Sequence, residues 1–253
     1  MSQMPQVPWA NCFVDPDHPE RPATIQLQQV TRKSFRLESS LRYTGPTGIA
    51  NLPDAACTLR PADLGDPPTT DLASVPSALR WFVSTYDVHT PAALIHDRLI
   101  GPTNNLGVAD ADADRFFRFM LKELGVRFLR RWMMWTAVAF GTRWRSKQLL
   151  VRLSLVIWLI LAATGISALV YGLFTLNWWL VLFAAMAPIP VSVLWGRQYG
   201  AGLTAAAVAI WVLPPTALAA VGYWIYWLLE KAISLLPIHQ DVKGNEPVDY
   251  KHF

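Results

Sequence analysis

The chain has 253 residues, 53% of them hydrophobic and 16% charged, with a formal net charge of +4 at pH 7. The charge is unevenly spread: the first 148 residues hold 17 of the 22 Lys and Arg and 14 of the 18 Asp and Glu, while Leu149 to Leu229 contains only Arg152 and Arg197. This division argues against a single soluble globule and against a nucleic-acid partner, and it predicts a water-exposed front half and a membrane-embedded back half.

In chain order, residues 1–20 read as an N-terminal extension. Its sequence, MSQMPQVPWANCFVDPDHPE, lacks a basic stretch followed by an apolar one, so no export signal is expected there. Cys12 and Cys57 are the two cysteines, with neither CxxC nor His–Cys ligand spacing. They argue against zinc and leave a reduced cytoplasmic pair or a disulfide open. Residues 21–148 are expected to form an α+β domain with a small antiparallel sheet and three or four helices. Partial alternation predicts strands over TIQLQQV (24–30) and SFRLESSLRY (34–43), followed by a loop rich in Pro, Asp and Gly over 57–70. Ser74 or a neighbour caps a short helix with Pro76 in its first turn, and Thr90–Pro91 starts a second helix that stops near Gly101–Pro102. Asp110 and Asp112 suit the positive end of a third helix, which Gly125 terminates, with Ala109, Ala113, Phe116, Met120 and Leu124 as its apolar stripe. RFLRRWMMWTAVAF (127–140) is too short and too charged to span a bilayer and is expected at the interface.

The back half, 149–229, is expected to be an all-α transmembrane bundle of about three helices. Its apolar runs are 153–174, 178–195 (with Pro188 and Pro190) and 203–229 (with Pro214–Pro215), the last able to span with tilt or to form a broken element. Seven basic residues precede the first run: Arg127, Arg130, Arg131, Arg143, Arg145, Lys147 and Arg152. They suit anionic lipid headgroups and place the front domain on the cytoplasmic side of a bacterial inner membrane, with the polar tail 230–253 outside. Trp178, Trp179, Trp195, Trp224 and Trp227 mark the expected interfacial belts. The runs contain no Asp, Glu, Lys or His, which argues against a pump or secondary transporter and for an anchor, an assembly platform or a simple oligomeric pore. Ala162, Gly165 and Ala168 offer a helix-packing face, so a homo-oligomer is expected.

TDLASVP (70–76), AALIHD (92–97), ADRFFRFMLKELGV (113–126) and AVAFGTRW (137–144) together resemble the family called domain of unknown function 1353, small proteins of bacteria and phages that carry TDxASxP, HDxLY and ADxxF in that order. The resemblance covers roughly residues 20–145. This chain reads HDRLI where the family has an aromatic after the pair, and RPADLGDPP leads into TDLASVP. The resemblance implies no settled activity.

The polar residues gathered by these motifs are Asp71, Ser74, His96, Asp97 and Asp114. A helical hairpin with His-Asp on one helix and Asp on the next is similar to the site of secreted calcium-dependent phospholipases. That likeness implies His96 as general base, Asp114 as its orienting partner and Asp97 as a ligand for calcium or another divalent metal. Those enzymes are disulfide-rich and carry a glycine-rich calcium loop, whereas STYDVHT (84–90) has no glycine. A second metal grouping would use Asp87 and His89 with His96 and Asp97. Against these stand plainer roles: Asp71 as a turn cap, Asp114 with Arg118 as an i,i+4 pair, and His96 as a buried histidine bonded to Asp71 or Asp114. The first expectation is therefore a membrane-anchored scaffold or partner-binding module. The alternative is a membrane-associated, metal-dependent hydrolase, lipid-directed and built on His96, Asp97 and Asp114.

Overall fold

In the computed structural model, which describes residues 8–31, 34–70, 87–101 and 104–234, the alternating run at 34–43 divides into two strands that join different sheets. Strand β3 (Phe35–Leu37) pairs antiparallel with β2 (Leu27–Gln29) and β6 (Thr69–Thr70). Strand β4 (Leu41–Tyr43) pairs antiparallel with β1 (Phe13–Val14) and β5 (Thr58–Leu59). Two small three-stranded sheets thus replace the single sheet expected. Ser39 lies where the run divides, and its Oγ accepts from the Gln26 amide at 2.9 Å. Leu37, Leu41 and Tyr43 are all buried, so the run feeds the core from both of its halves.

Three described helices complete the front half. Helix α1 (Thr90–Ile100) begins with Pro91 in its first turn and ends at Gly101; α2 (Asp110–Glu123) follows; α3 (Phe128–Arg145) runs toward the membrane half. The starts at Thr90 and Asp110 agree with the sequence reading, and Gly125 at φ 71° follows the end of α2. The helix expected around Ser74–Pro76 lies outside the described residues. Phe13, Leu41, Tyr43, Leu59, Leu94, Ile95, Leu99, Phe116 and Met120 form the core, where the Tyr43 ring meets Phe13 at 5.2 Å and Phe116 edge-on at 5.5 Å. Arg98 ties α1 to the first sheet. Its guanidinium donates to the carbonyls of Ala55 (2.7 Å) and Thr58 and pairs with Asp63 at 3.2 Å.

Helix α4 (Leu149–Phe174) is, among the described residues, the one helix long and apolar enough to cross a membrane. At 26 residues it extends about 39 Å, more than the roughly 30 Å of hydrocarbon. Only 22% of its most apolar stretch is buried, unlike the core helix of a soluble protein. The second expected span is broken. Helix α5 (Trp178–Met186) covers nine residues, and α6 (Pro188–Val191) and a 3-10 segment (Ser192–Gln198) follow. Pro188 and Pro190 lack the amide hydrogens that an uninterrupted helix would use. Nine residues reach about 14 Å, too short to cross alone. Helix α7 (Tyr199–Ser234) then covers 36 residues. Of the bundle of about three spans expected, the described residues thus show one helix that meets the length and apolarity of a span.

Helices α4 and α5 pack closely. A Cβ on Gly165 would lie 3.0 Å from the Ala184 carbonyl, and one on Gly172 would lie 2.9 Å from Val181 Cγ2. The small-residue face expected to drive self-association thus meets α5 of the same chain at Gly165. Trp195, expected in an aromatic belt, is buried with Trp135, Trp158 and Ala162. Trp178 and Trp179, by contrast, are exposed.

The chain forms two compact units, residues 1–210 and 211–253. In the second, the helical stretch 223–229 exposes Tyr223, Trp224, Ile225, Tyr226, Trp227, Leu228 and Leu229. Trp224 and Trp227 pair there at 5.7 Å.

Candidate functional site: a buried carboxylate at the junction of four segments

His96 faces inward from α1 because Ala92, Ile95 and Leu99, at helical spacing around it, are also buried. Asp114 faces inward from α2 within the row Ala113, Phe116, Phe117 and Met120. The two side chains meet at 2.7 Å, His96 Nε2 to Asp114 Oδ1, at 3% and 0% exposure. With a carboxylate as acceptor, Nε2 carries the hydrogen. Asp114 Oδ2 accepts from the Thr142 hydroxyl of α3 at 2.7 Å and from the Gln198 side-chain amide of the 3-10 segment. Both oxygens are thus occupied, by groups from three other segments.

The network continues into a buried cation. Gln198 Oε1 accepts from Arg143 Nε at 2.9 Å, so the Gln198 amide bridges Arg143 to Asp114. Arg143 also donates to Ser154 Oγ of α4 at 2.9 Å and to the Trp195 carbonyl, and its guanidinium lies 4.8 Å from the Trp195 ring centre. Burial pushes its pKa down to about 10, and the Asp114 charge acts in the opposite direction. Arg143, which the sequence groups with the lipid-facing basic residues, faces the interior instead. Arg145, Lys147 and Arg152 remain exposed.

Several expected partnerships change. Asp114 and Arg118 do not pair: Arg118 lies over the rings of Trp132 (4.7 Å) and Trp135 (4.2 Å). Asp97 does not join His96 and Asp114. It is half-buried and accepts from Thr70 Oγ1 of β6 at 2.7 Å, which joins α1 to the second sheet. Asp71 and Ser74 lie outside the described residues. No group of three His, Cys, Asp or Glu suited to a metal occurs among the described residues. In the second grouping, Asp87 binds Arg130 at 2.7 Å, and His89 is buried. The Val88 amide, followed by Arg130, holds the Asp87 carboxyl below its usual range. Burial and then the Asp114 charge raise the pKa of Asp110.

Sequence reasoning does not single out Thr142 or Gln198, and it assigns Arg143 to the lipid surface. The spacing of Ala139, Thr142 and Arg143 on one face of α3 is the available signal, together with a glutamine inserted between apolar runs.

Residues 65–138 match the family described as Protein of unknown function (DUF1353). Over this segment the chain is similar to that family. The match lies within the wider range expected from the motifs. No curated protein and no solved structure matches the chain. The DUF1353 segment supplies His96, Asp97 and Asp114, whereas Thr142, Arg143, Ser154 and Gln198 come from beyond it. The carboxylate at the domain's centre is therefore completed by the flanking chain.

Proposed function

We propose that this protein is a membrane-anchored scaffold whose DUF1353 domain sits on its own anchor at the cytoplasmic face and presents a partner-binding surface. The observation that carries this reading is the saturation of Asp114: His96, Thr142 and Gln198 occupy both oxygens from three directions in a buried site. A buried carboxylate that accepts three hydrogen bonds from three segments joins those segments to one another. Helix α4, with its exposed apolar surface, supplies the anchor. Exposed Arg145, Lys147 and Arg152 favour anionic lipid at its front end, the inner leaflet of a bacterial plasma membrane. The exposed apolar surface of α4 also supports a homo-oligomer. Three membrane passes remain compatible with α4, the broken return through α5 and the long α7.

The test is the thermal stability of the full chain in detergent. His96→Ala and Asp114→Asn should each lower the unfolding midpoint, because each leaves buried polar partners unmatched. Unchanged or raised midpoints would overturn the scaffold reading and favour a catalytic one. Alkaline carbonate should leave the chain in the membrane pellet, and protease added outside sealed inner-membrane vesicles of right-side-out orientation should spare the front domain.

One observation favours the hydrolase reading: Nδ1 of His96 makes no hydrogen bond among the described residues, so it is available as a base. Calorimetry of the full chain with calcium or zinc, beside Asp97→Asn, tests it. Binding that vanishes in the variant would support a metal-dependent hydrolase, and absence of binding would remove that mechanism.

A further inference from the structure

Arg115 and Arg118 lie three residues apart on α2. Arg118 reaches the α3 rings of Trp132 and Trp135, and Arg131, next in the chain to Trp132, lies 5.6 Å from the Phe128 ring centre. Arg118 is half-buried, with its guanidinium over the indoles of Trp132 and Trp135 and 5.7 Å from the Phe119 ring centre. Neither Arg118 nor Arg131 pairs with a carboxylate among the described residues. Arg115 approaches Asp112 only at 4.0 Å, and Asp112 already binds Arg197 at 3.1 Å. Arg118 and Arg131 are thus the two cations of this group without a carboxylate partner among the described residues, and Arg115 shares Asp112 with Arg197. The effect is felt at Arg118, where burial, Arg115 and Arg131 each lower the pKa while Tyr199 raises it. A partly desolvated cation beside two like charges is costly unless an anion answers it.

The location identifies the anion's source. Trp135 belongs to the same buried cluster as Leu155 and Trp158, which lie in the first turns of α4. A Cβ on Gly200 would lie 3.0 Å from the Trp132 ring and 3.2 Å from that of Trp135, so the chain entering α7 closes on the same indoles. The indoles under Arg118 therefore pack beside the front part of α4, which on the membrane-anchor reading is where the domain meets lipid headgroups. Indole rings with guanidinium groups suit such a boundary, since the rings accept the apolar edge and the guanidinium groups hydrogen-bond phosphate oxygens.

We propose that Arg118 and Arg131, with Arg115 one turn away from Arg118 on α2, bind the phosphate of an anionic phospholipid headgroup. This site rests on the membrane-anchor reading and specifies the lipid that seats the domain. The test uses the full chain in detergent with phosphatidylglycerol, phosphatidylcholine or inorganic phosphate added. Thermal midpoint and lipid retention by native mass spectrometry are measured. Phosphatidylglycerol should raise the midpoint and remain bound, and neither of the other additions should do so. Arg118→Gln and Arg131→Gln should each abolish most of that shift, while Arg36→Gln on β3 should preserve it. Should Arg118→Gln fail to fold, Arg131→Gln decides alone. An undiminished shift in Arg131→Gln, an equal loss in Arg36→Gln, or a full shift with inorganic phosphate would overturn the proposal. Release of the chain by alkaline carbonate would instead overturn the anchor, and the lipid-dependent shift would still be read separately.

Discussion

At the scale of single residues, Asp114 accepts hydrogen bonds from three separate segments while fully buried. Replacing it with alanine removes the acceptor for His96, Thr142 and Gln198 and leaves Arg143 buried with less opposing charge. Breaking a buried charged network in this way costs about 3–5 kcal/mol, so Asp114→Ala should be the most destabilising of the substitutions considered, read as the largest fall in unfolding midpoint. Thr142→Val keeps the shape and removes one donor, and should cost about 1–3 kcal/mol. Part of this is legible in the sequence. The 18-residue separation of His96 and Asp114 across two helices anticipates their meeting. The partners Thr142 and Gln198 are not legible, because one lies on a helix that reads as interfacial and the other 84 residues away. Cys12 gives a pH-dependent prediction. Burial, aided by the Glu123 charge, raises its thiol pKa from 9.0 to about 11. Its folded value exceeds the unfolded one, so the stability it contributes is complete below pH 9 and is lost as pH rises through 11. Iodoacetamide at mildly alkaline pH should label Cys12 slowly in the native chain and rapidly in urea; equal rates would contradict the burial.

Among the secondary-structure elements, the α4–α5 hairpin depends on the absence of side chains at Gly165 and Gly172. A Cβ at position 172 would also approach the Val181 amide at 3.2 Å and the Asn177 carbonyl at 3.3 Å, both backbone atoms that cannot rotate aside. Gly172→Leu should therefore separate the helices, measured as loss of a disulfide engineered between α4 and α5, whereas Ala168→Leu, at a half-buried position, should preserve the crosslink. Helix positions in the front half are readable because Pro91, Asp110 and Gly125 act through local backbone chemistry. The division of 34–43 between two sheets is not readable, since alternation continues through Glu38 and Ser39 and only the tertiary partners of Leu37 and Leu41 separate the strands. Composition likewise identifies 178–195 as apolar, but apolarity does not determine whether prolines bend a helix or end it.

For the whole molecule, the apolar half of the chain contributes to the front domain's interior. Gln198, Ser154 and the Trp195 carbonyl lie beyond residue 148, the boundary that charge composition suggests. A fragment ending there should bind a hydrophobic dye more strongly and unfold at a lower midpoint than the full chain, and Gln198→Ala in the full chain should reproduce part of that loss. Equal stability of fragment and full chain would show that the shared network contributes little. Composition marks where the chain turns apolar. It cannot reveal that a structural unit crosses it, because hydropathy records preference for solvent and not the identity of a hydrogen-bond partner.

The bridging amide of Gln198 also imposes an order on biosynthesis. His96, Asp114, Thr142 and Arg143 leave the ribosome first, while Gln198 follows only after α4 and α5 have been made. Until that hairpin has turned back, the carboxylate and the guanidinium lack the group that links them. A nascent chain whose hairpin fails to fold back therefore retains an incomplete domain, which quality-control proteases can distinguish from the finished protein.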